Sequence, residues 1–177
     1  MIAGMRIRSR IGLTLAAGVA AATLAVAVVP SAAGASGCGV KWGSLPKSTP
    51  AMTGAELTGV RPGRHDCFDR LVFDLAGRPV AGYDVRYVDV LRADGSGDVV
   101  PVAGGAVLSV TVRAPAYRRI RTAVAGYRTF RDVAWAGSFE GQTRFGLGVR
   151  ARLPFRVLQL EGPGNGTRLV VDVAHKW

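Results

Sequence analysis

Short segments in which apolar and polar residues alternate recur along most of the chain, and they limit the folds available to it. Leu71, Phe73 and Leu75, for example, share one side of an extended segment, with charged or smaller residues on the other side. Segments of this kind follow each other at short intervals, separated by glycine, proline and aspartate turns. A period of two predicts half-buried β-strands, about eight or nine of them, over residues 55–177.

The order of these segments selects the fold class. No stretch beyond residue 55 shows the periodicity of an amphipathic helix, so strand follows strand without a helix between them. Parallel neighbours need long crossover connections, whereas antiparallel neighbours need only short turns. Strands that are polar on one side also need water on that side. The sequence therefore predicts an all-β fold, an antiparallel β-sandwich of about eight or nine strands around one apolar core.

Three connections between the strands carry specific predictions. Gly104 and Gly105 join two apolar runs and predict a hairpin turn. The sequence GSFEG, at residues 137–141, resembles the turn that presents a catalytic serine in hydrolases, but it lies between two strands and is predicted to be a hairpin. Residues 115–130 show no pattern, and we expect an irregular connection that carries four arginines and two tyrosines.

The first 37 residues have the features of a secretory signal peptide. A basic start, from Arg6 to Arg10, precedes an uncharged apolar run at residues 11–29, and small residues follow. The run is also long enough for a membrane anchor, so cleavage and retention as an uncleaved anchor both remain open. In either case we expect an N-terminal signal helix over residues 1–37. Everything after it is predicted to be extracytoplasmic, either secreted or associated with the cell envelope.

Residues 38–54 form an unpatterned leader that begins with Cys38, one of the two cysteines of the chain. Small residues precede Cys38, which permits lipid attachment there, and a metal site is a third possibility. A disulfide with Cys67 uses both thiols, whereas lipidation of Cys38 leaves a free thiol in an oxidising compartment. The disulfide would close a loop of about 30 residues and stabilise the fold by about 3–4 kcal/mol. We expect the disulfide, with lipid attachment as the alternative.

The charge of the exported part favours anionic partners. The full chain carries 23 basic and 12 acidic residues, and the first 37 residues hold three of the basic ones, which leaves 20 − 12, a net charge of +8. Such a charge favours phosphate-bearing or carboxylate-bearing surfaces. Nucleic acid is a common partner of basic domains, but export argues against it and no basic helix is visible. The alternative is an arginine-rich surface that is merely solvated.

Four segments carry a family resemblance: LTGVRPGRHDCFDRLVFDLAG, YDVRYVDV, VAWAGSFEGQTRFGLGVRARLPFRVLQL and GTRLVVDVAHKW. They resemble the AMIN-like domain of exported proteins from high-G+C Gram-positive bacteria, a relative of the AMIN domain of cell-wall amidases. The resemblance covers about residues 55–177. It implies a β-sandwich module without catalytic activity that places a protein at the envelope by binding peptidoglycan. No amidase domain follows in this sequence, so the resemblance indicates fold and location better than ligand.

The chain offers few residues for catalysis or metal binding. Its two cysteines and two histidines lie on separated segments, so we expect no metal site. His65 is interpreted as a surface residue and His175 as a residue at the rim of the fold. No serine or cysteine is recognisably placed with a histidine and an acid, and we expect no enzyme activity and no cofactor.

Aromatic residues and arginines are the candidates for ligand binding. Aromatic rings can stack on sugars, and arginines can bind the carboxylates of muropeptides in bidentate pairs. Alternation gives the arginines of the VRARLPFR segment a common parity, unless Pro154 resets it. The alternative is that the tryptophans, above all Trp135, fill the core and that the arginines face water. The predicted ligand-binding residues are Arg144, Arg150, Arg152, Arg156, Tyr83, Tyr87 and Trp177.

Two functions from different classes are compatible with these observations. The chain is predicted to be a non-catalytic exported module of the cell envelope that binds peptidoglycan or an anionic wall polymer. The alternative is an envelope module that binds a protein, for example through addition of a strand to a sheet edge, without binding polymer. We expect membrane contact only through an uncleaved signal segment or a lipid on Cys38, and no binding of nucleic acid.

Overall fold

The computed structural model describes residues 38–177, so the predicted signal helix lies outside the described residues. The described part contains nine β-strands and no α-helix, which confirms the predicted all-β fold. Within it there is accordingly no helix long and apolar enough to cross a bilayer. The strands are β1 (Lys47–Thr49), β2 (Glu56–Arg64), β3 (Phe68–Ala76), β4 (Tyr83–Val88), β5 (Ala106–Val112), β6 (Phe130–Phe139), β7 (Gln142–Val149), β8 (Phe155–Glu161) and β9 (Thr167–Ala174).

The strands form two antiparallel sheets. Five strands pair in the order β1-β4-β5-β7-β6, and four strands pair in the order β2-β3-β9-β8. Alternate residues of each strand point to opposite faces, so every strand contributes one apolar row. Phe73 of the four-stranded sheet meets Phe145 of the five-stranded sheet with ring centroids 5.3 Å apart. The two sheets therefore pack face to face, which confirms the predicted sandwich.

The core lies between the two sheets and contains the residues that the alternation placed inside. Leu71, Phe73 and Leu75 of β3 are all buried, and so are the inward rows of β5, β7 and β9. Trp135 packs against this core from the edge strand β6, with its ring centroid 5.2 Å from that of Phe145. Its inner side belongs to the core, as the sequence indicates, although the residue as a whole stays half-buried.

The hairpin predicted at Gly104–Gly105 is wrong. The segment between β4 and β5 lies across the outer face of the five-stranded sheet, where Leu91 is buried. Gly146 and Gly148 of β7 make this arrangement possible, because a Cβ at either position would collide with the covering segment. The colliding atoms belong to the side chain of Leu91 and to the backbone carbonyl of Ala103. The segment therefore covers the sheet and does not extend it.

The leader is more ordered than its sequence indicates. Its residues Lys47–Thr49 form β1, which pairs with β4 at one edge of the five-stranded sheet. Cys38 and Cys67 form a disulfide with Cα atoms 5.5 Å apart, which confirms the predicted bridge. The backbone amide of Phe155 donates a hydrogen bond of 2.9 Å to the carbonyl oxygen of Gly43. Together these contacts hold the leader against both sheets.

Two other connections agree with the prediction. The turn between β6 and β7 is a tight hairpin, with Glu140 at φ 48° and Gly141 at φ 75°. The chain between β5 and β6 is irregular until β6 begins at Phe130. That connection carries five arginines, Arg113, Arg118, Arg119, Arg121 and Arg128.

Candidate functional site

Four of the seven predicted ligand-binding residues come together at one end of the sandwich. The guanidinium carbon of Arg152 lies 4.9 Å from the ring centroid of Tyr87. The indole Nε1 of Trp177 donates a hydrogen bond of 3.1 Å to the carbonyl oxygen of Arg152. Arg150 donates to the carbonyl oxygen of His175, next to the same C-terminal segment. The loop between β7 and β8 thus gathers these four side chains.

The other three predicted residues lie elsewhere. Tyr83 packs half-buried against the core at the opposite end of β4. Arg144 belongs to the outer face of the five-stranded sheet, and Arg156 belongs to the outer face of the four-stranded sheet. The common parity predicted for Arg150 and Arg156 is not realised, because the chain between β7 and β8 leaves one sheet and enters the other.

An open cleft of about 470 Å³, which we call the end cleft, is lined by nine residues, among them Tyr87, Arg152 and the exposed Asp89. The Tyr87 hydroxyl donates to the carbonyl oxygen of Leu153 at 2.8 Å and accepts from its backbone amide at 3.0 Å. Burial raises the pKa of Tyr87, and the hydrogen bond to Leu153 and the charge of Arg152 only partly offset this effect. The ring is therefore a fixed, uncharged wall at neutral pH.

The end cleft combines a free cation with exposed aromatic surface. Trp177 is 70% exposed beside the cleft, although its Nε1 is anchored. Within residues 38–177, Arg152 has no carboxylate within 4.0 Å. Its hydrogen bonds to Ser44 are long, 3.5 Å and 3.4 Å. Such a group can bind a ligand carboxylate while the neighbouring indole contacts an apolar sugar face.

A second groove, of about 370 Å³, lies on the outer face of the five-stranded sheet. Its arginines are already engaged. Arg86 forms an ion pair with Asp84, and Nη2 of Arg144 lies 3.1 Å from Oδ1 of Asp94. Arg113 donates to the side-chain amide oxygen of Gln142 at 3.1 Å. This groove is polar, but its cationic groups are largely neutralised by the protein itself.

The outer face of the four-stranded sheet holds an ion cluster that sequence reasoning missed. Asp172 is fully buried. Arg70 donates to its two carboxylate oxygens at 2.7 and 2.9 Å, and Nε of Arg156 donates to Oδ2 at 2.8 Å. The indole of Trp42, from the leader, lies over Arg156 with the guanidinium carbon 4.3 Å from the ring centroid. Arg156 is thus part of a structural cluster rather than a free cation.

Six exposed arginines on or against the connection between β5 and β6 form what we call the arginine surface. Within residues 38–177, none of them has a carboxylate within 4.0 Å. The surface includes the rim of an open groove of about 430 Å³ beside the edge strand β6, which we call the edge groove. The sequence showed the arginines but no periodicity that could group them. The six residues are Arg64, Arg118, Arg119, Arg121, Arg128 and Arg131.

The interpretation of His175 as a rim residue is wrong. His175 is only 9% exposed, and Asp69 beneath it is 1% exposed. Nε2 of His175 lies 3.2 Å from Oδ1 of Asp69, and Nδ1 lies 3.1 Å from the carbonyl oxygen of Asp66. The other oxygen of Asp69 accepts a hydrogen bond of 2.6 Å from the amide of Thr129. These contacts join β3, β9 and the start of β6 and satisfy buried polar groups.

His65, in contrast, is exposed and stacks on Phe68 with ring centroids 4.4 Å apart, as a surface residue can. Across the described residues 38–177, no group of three or more histidine, cysteine, aspartate or glutamate side chains is arranged to hold a metal ion. Cys67 is engaged in the disulfide with Cys38.

Comparison with known protein families identifies a match. The AMIN-like domain family matches residues 55–175, which run from just before β2 to just after β9. No curated protein and no solved structure matches the chain. The matched range includes both sheets except β1, together with the arginine surface and most of the end cleft. On this match, the chain belongs to the AMIN-like domain family.

Proposed function

We propose that this chain is a non-catalytic module of the cell envelope, exported from the cytoplasm, that binds peptidoglycan through the end cleft. Family membership supports an envelope module with a binding role. The disulfide between Cys38 and Cys67 fits an oxidising compartment outside the cytoplasm. The net charge of +8 after residue 37 (20 − 12) favours a negatively charged wall.

The observation that carries the choice of site is Arg152, which has no carboxylate partner in residues 38–177, lies over the ring of Tyr87 and accepts a hydrogen bond from Trp177 through its backbone carbonyl. Tyr87 lies under its guanidinium, and Trp177 is anchored to its backbone while most of the indole faces water. A peptidoglycan fragment presents sugar faces and peptide carboxylates within a short distance of each other. The end cleft offers an aromatic surface for the first and a cation for the second.

Sedimentation with purified, polymer-stripped peptidoglycan tests the proposal. The double variant Arg152→Ala/Trp177→Ala removes the cation and the exposed indole, and we expect it to lose most of the bound fraction. The matched control is Arg78→Ala/Phe139→Ala, which removes an exposed arginine and an exposed aromatic residue, neither of which lines the end cleft. The control is expected to sediment like the wild type.

Two results would overturn the proposal. The first is a wild-type domain that stays in the supernatant at low salt. The second is an equal loss of binding in the double variant and its control, because the end cleft would then contribute nothing specific. Saturable binding to an envelope protein that does not weaken with salt, together with no binding to the wall, would establish the protein-binding alternative in its place.

A further inference from the structure

The arginine surface differs from most of the arginines on the two sheets in having no acidic partners. Arg61, Arg78 and Arg86 are also exposed, but each forms an ion pair with a neighbouring carboxylate. The six arginines of the arginine surface form no such pair in the described part of the chain. Their positive charge is therefore not balanced by a carboxylate of the described residues and can attract an external anion.

Half of the arginine surface orders the irregular connection. Nη2 of Arg64 donates to the carbonyl oxygen of Ala125 at 3.2 Å, and its guanidinium carbon lies 4.4 Å from the ring centroid of Tyr127. Arg131 donates to several backbone carbonyl oxygens, including that of Phe130 at 2.8 Å. The connection is thus held by arginines of the neighbouring strands β2 and β6, although it has no regular secondary structure.

The other half is free. Arg119, Arg121 and Arg128 are exposed, and their guanidinium groups make no hydrogen bond to any residue in 38–177. Arg119 and Arg121 stand on one wall of the edge groove, opposite the stretch of β6 from Asp132 to Trp135. The backbone that carries these side chains is ordered, so binding an anion would cost mainly the rotamer entropy of the arginines themselves.

The opposite wall of the edge groove is less charged and partly aromatic. The one carboxylate in this lining belongs to Asp132, and its Oδ2 accepts a hydrogen bond of 3.1 Å from the amide of Ala103. Trp135 packs one side of its indole on Phe145 and remains half-buried. An anion between the two free arginines would therefore meet a cationic wall, with an aromatic edge and the Asp132 carboxylate on the opposite wall.

We propose that the arginine surface binds a phosphodiester-bearing wall polymer, with the edge groove holding one repeating unit. A guanidinium group matches the oxygens of a phosphodiester through bidentate hydrogen bonds, and arginine suits this contact better than lysine does. Arg119, Arg121 and Arg128 all belong to the same connection, and three free cations suit a polymer with repeated phosphates more than a single anion. The proposal rests on the proposed function only in placing the domain outside the cytoplasm.

A protein strand added to β6 fits this groove less well. Two β-bulges interrupt β6, one between Phe130 and Asp132 and one between Trp135 and Gly137. The regular edge between them is only Asp132–Trp135. Bulges of this kind twist a sheet edge away from continuous pairing. A partner strand would thus gain few backbone hydrogen bonds, whereas a polymer phosphate needs only the arginine side chains.

The test measures binding to poly(glycerol phosphate), a soluble phosphodiester polymer, and to polygalacturonate, a carboxylate polymer, at several salt concentrations. The variant Arg119→Ala/Arg121→Ala/Arg128→Ala removes the three free arginines. The matched control Arg61→Ala/Arg78→Ala/Arg86→Ala removes the same charge from arginines that have carboxylate partners. We expect the first variant to lose about 10-fold or more in affinity for poly(glycerol phosphate) and to show a shallower salt dependence.

We expect the control to lose less than about 3-fold, because its arginines are already neutralised. An equal loss in both triple variants would overturn the proposal, since net charge alone would then explain binding. So would wild-type binding to polygalacturonate as tight as to poly(glycerol phosphate). Preferential binding to vesicles that contain an anionic phospholipid would assign the surface to a membrane and also overturn it. Equal unfolding midpoints for both variants and the wild type exclude misfolding as the cause.

The two binding proposals fail separately. Polymer-stripped peptidoglycan tests the end cleft, and poly(glycerol phosphate) without peptidoglycan tests the arginine surface. Loss of either interaction in its own variant, with the other retained, shows which surface binds which ligand.

Discussion

The outer face of the four-stranded sheet and the arginine surface use the same side chain in opposite ways. On the sheet, Arg70 and Arg156 converge on Asp172, whose carboxylate is fully buried. On the arginine surface, Arg119, Arg121 and Arg128 face water and have no carboxylate within 4.0 Å among residues 38–177. In the first region the arginines balance a buried charge and stabilise the fold. In the second region their charge faces solvent and is available to a ligand.

This difference shows why net charge alone says little about where a basic domain binds. Arginines that balance a buried carboxylate cannot turn to a ligand without leaving that carboxylate buried and unpaired, which is costly. Arginines held only by backbone carbonyl oxygens, or by nothing, keep their full charge toward solvent. The end cleft belongs to the second kind, since among the described residues the Arg152 side chain has only the Tyr87 ring and long hydrogen bonds to Ser44 as partners. Breaking the partners of the first kind of arginine is expected to lower the free energy of unfolding, whereas removing the second kind is not.

The largest expected effect comes from the disulfide between Cys38 and Cys67, which joins the leader to the four-stranded sheet. The cluster of Arg70, Arg156 and Asp172 on that sheet is called the paired region. The double variant Cys38→Ser/Cys67→Ser opens a loop of 29 residues and is expected to lower the free energy of unfolding by about 3–4 kcal/mol. Trp42 lies on the same leader and covers Arg156, so the variant should also expose this indole to water. Urea unfolding followed by tryptophan fluorescence measures both changes.

The paired arginines themselves should not need the disulfide to find Asp172. A red shift of tryptophan emission in the native baseline, together with the lower midpoint, would show that the leader detaches while the sheets persist. Unchanged stability in the double serine variant would mean that the leader contributes nothing to the paired region. Arg70, Arg156 and Asp172 would then be held by the four-stranded sheet alone.

The next effect tests the paired region directly. Asp172→Asn removes the charge that balances Arg70 and Arg156, and we expect a loss of about 2–3 kcal/mol in the free energy of unfolding. The arginines are 24% and 35% exposed, so water reduces the cost of leaving them unpaired. The matched control is Asp74→Asn, which breaks an exposed pair with Arg61 and should cost less than about 1 kcal/mol.

Chemical denaturation of the two variants decides the outcome. If Asp172→Asn costs no more than Asp74→Asn, the buried cluster stabilises no more than an ordinary surface pair. The contrast between structural and free arginines would then lose its physical basis.

The sequence predicts on which face of the sheet the paired residues lie better than it predicts which residues become neighbours. Alternation places Asp172 and Arg70 on the outer sides of their strands, because each strand fixes the opposite face through its apolar row. It does not reveal that the two residues are neighbours, since the pairing of β3 with β9 joins residues 102 positions apart. The cluster depends on that long-range register, and no local pattern encodes it.

Other misses have similar causes. The strand β1 has only three residues, and it forms because β4 offers it an edge rather than because Lys47–Thr49 has a strand pattern. The run before Gly104 alternates like a strand but covers the sheet, a choice made by Gly146 and Gly148 on another strand. The arginine surface lies on an irregular connection, where periodicity carries no information. The disulfide could be predicted because the chain has only two cysteines.

The smallest expected effect concerns the pair of Asp94 and Arg144. It is intermediate between the buried cluster around Asp172 and the arginines that have no carboxylate partner. Asp94 contacts Arg144 at 3.1 Å, is 15% exposed in its side chain, and has a second oxygen, Oδ2, that is buried without a hydrogen-bond partner. Burial raises the pKa of Asp94 above its ordinary value of 3.8, and the charge of Arg144 offsets this only in part. The ion pair therefore fails to compensate fully for the loss of water around the carboxylate.

The sign of the pH dependence follows from that raised pKa. The folded chain favours protonated Asp94, so the contribution of this group to stability is complete below about pH 3.8 and is lost as the pH rises through the raised pKa. Asp94→Asn mimics the protonated form. Relative to the wild type, we expect the variant to be more stable at pH 7 than at pH 3.

Urea unfolding of both proteins at the two pH values measures this difference, and all other titrating groups cancel in the comparison. Asp98→Asn, on the same covering segment but exposed, is the control and should show a smaller change between the two pH values. The opposite sign, with Asp94→Asn less stable relative to the wild type at pH 7, would mean that Arg144 balances its carboxylate as fully as Arg70 and Arg156 balance theirs. Arg144 would then belong with the structural arginines, in contrast to Arg152 of the end cleft and the free arginines of the connection before β6.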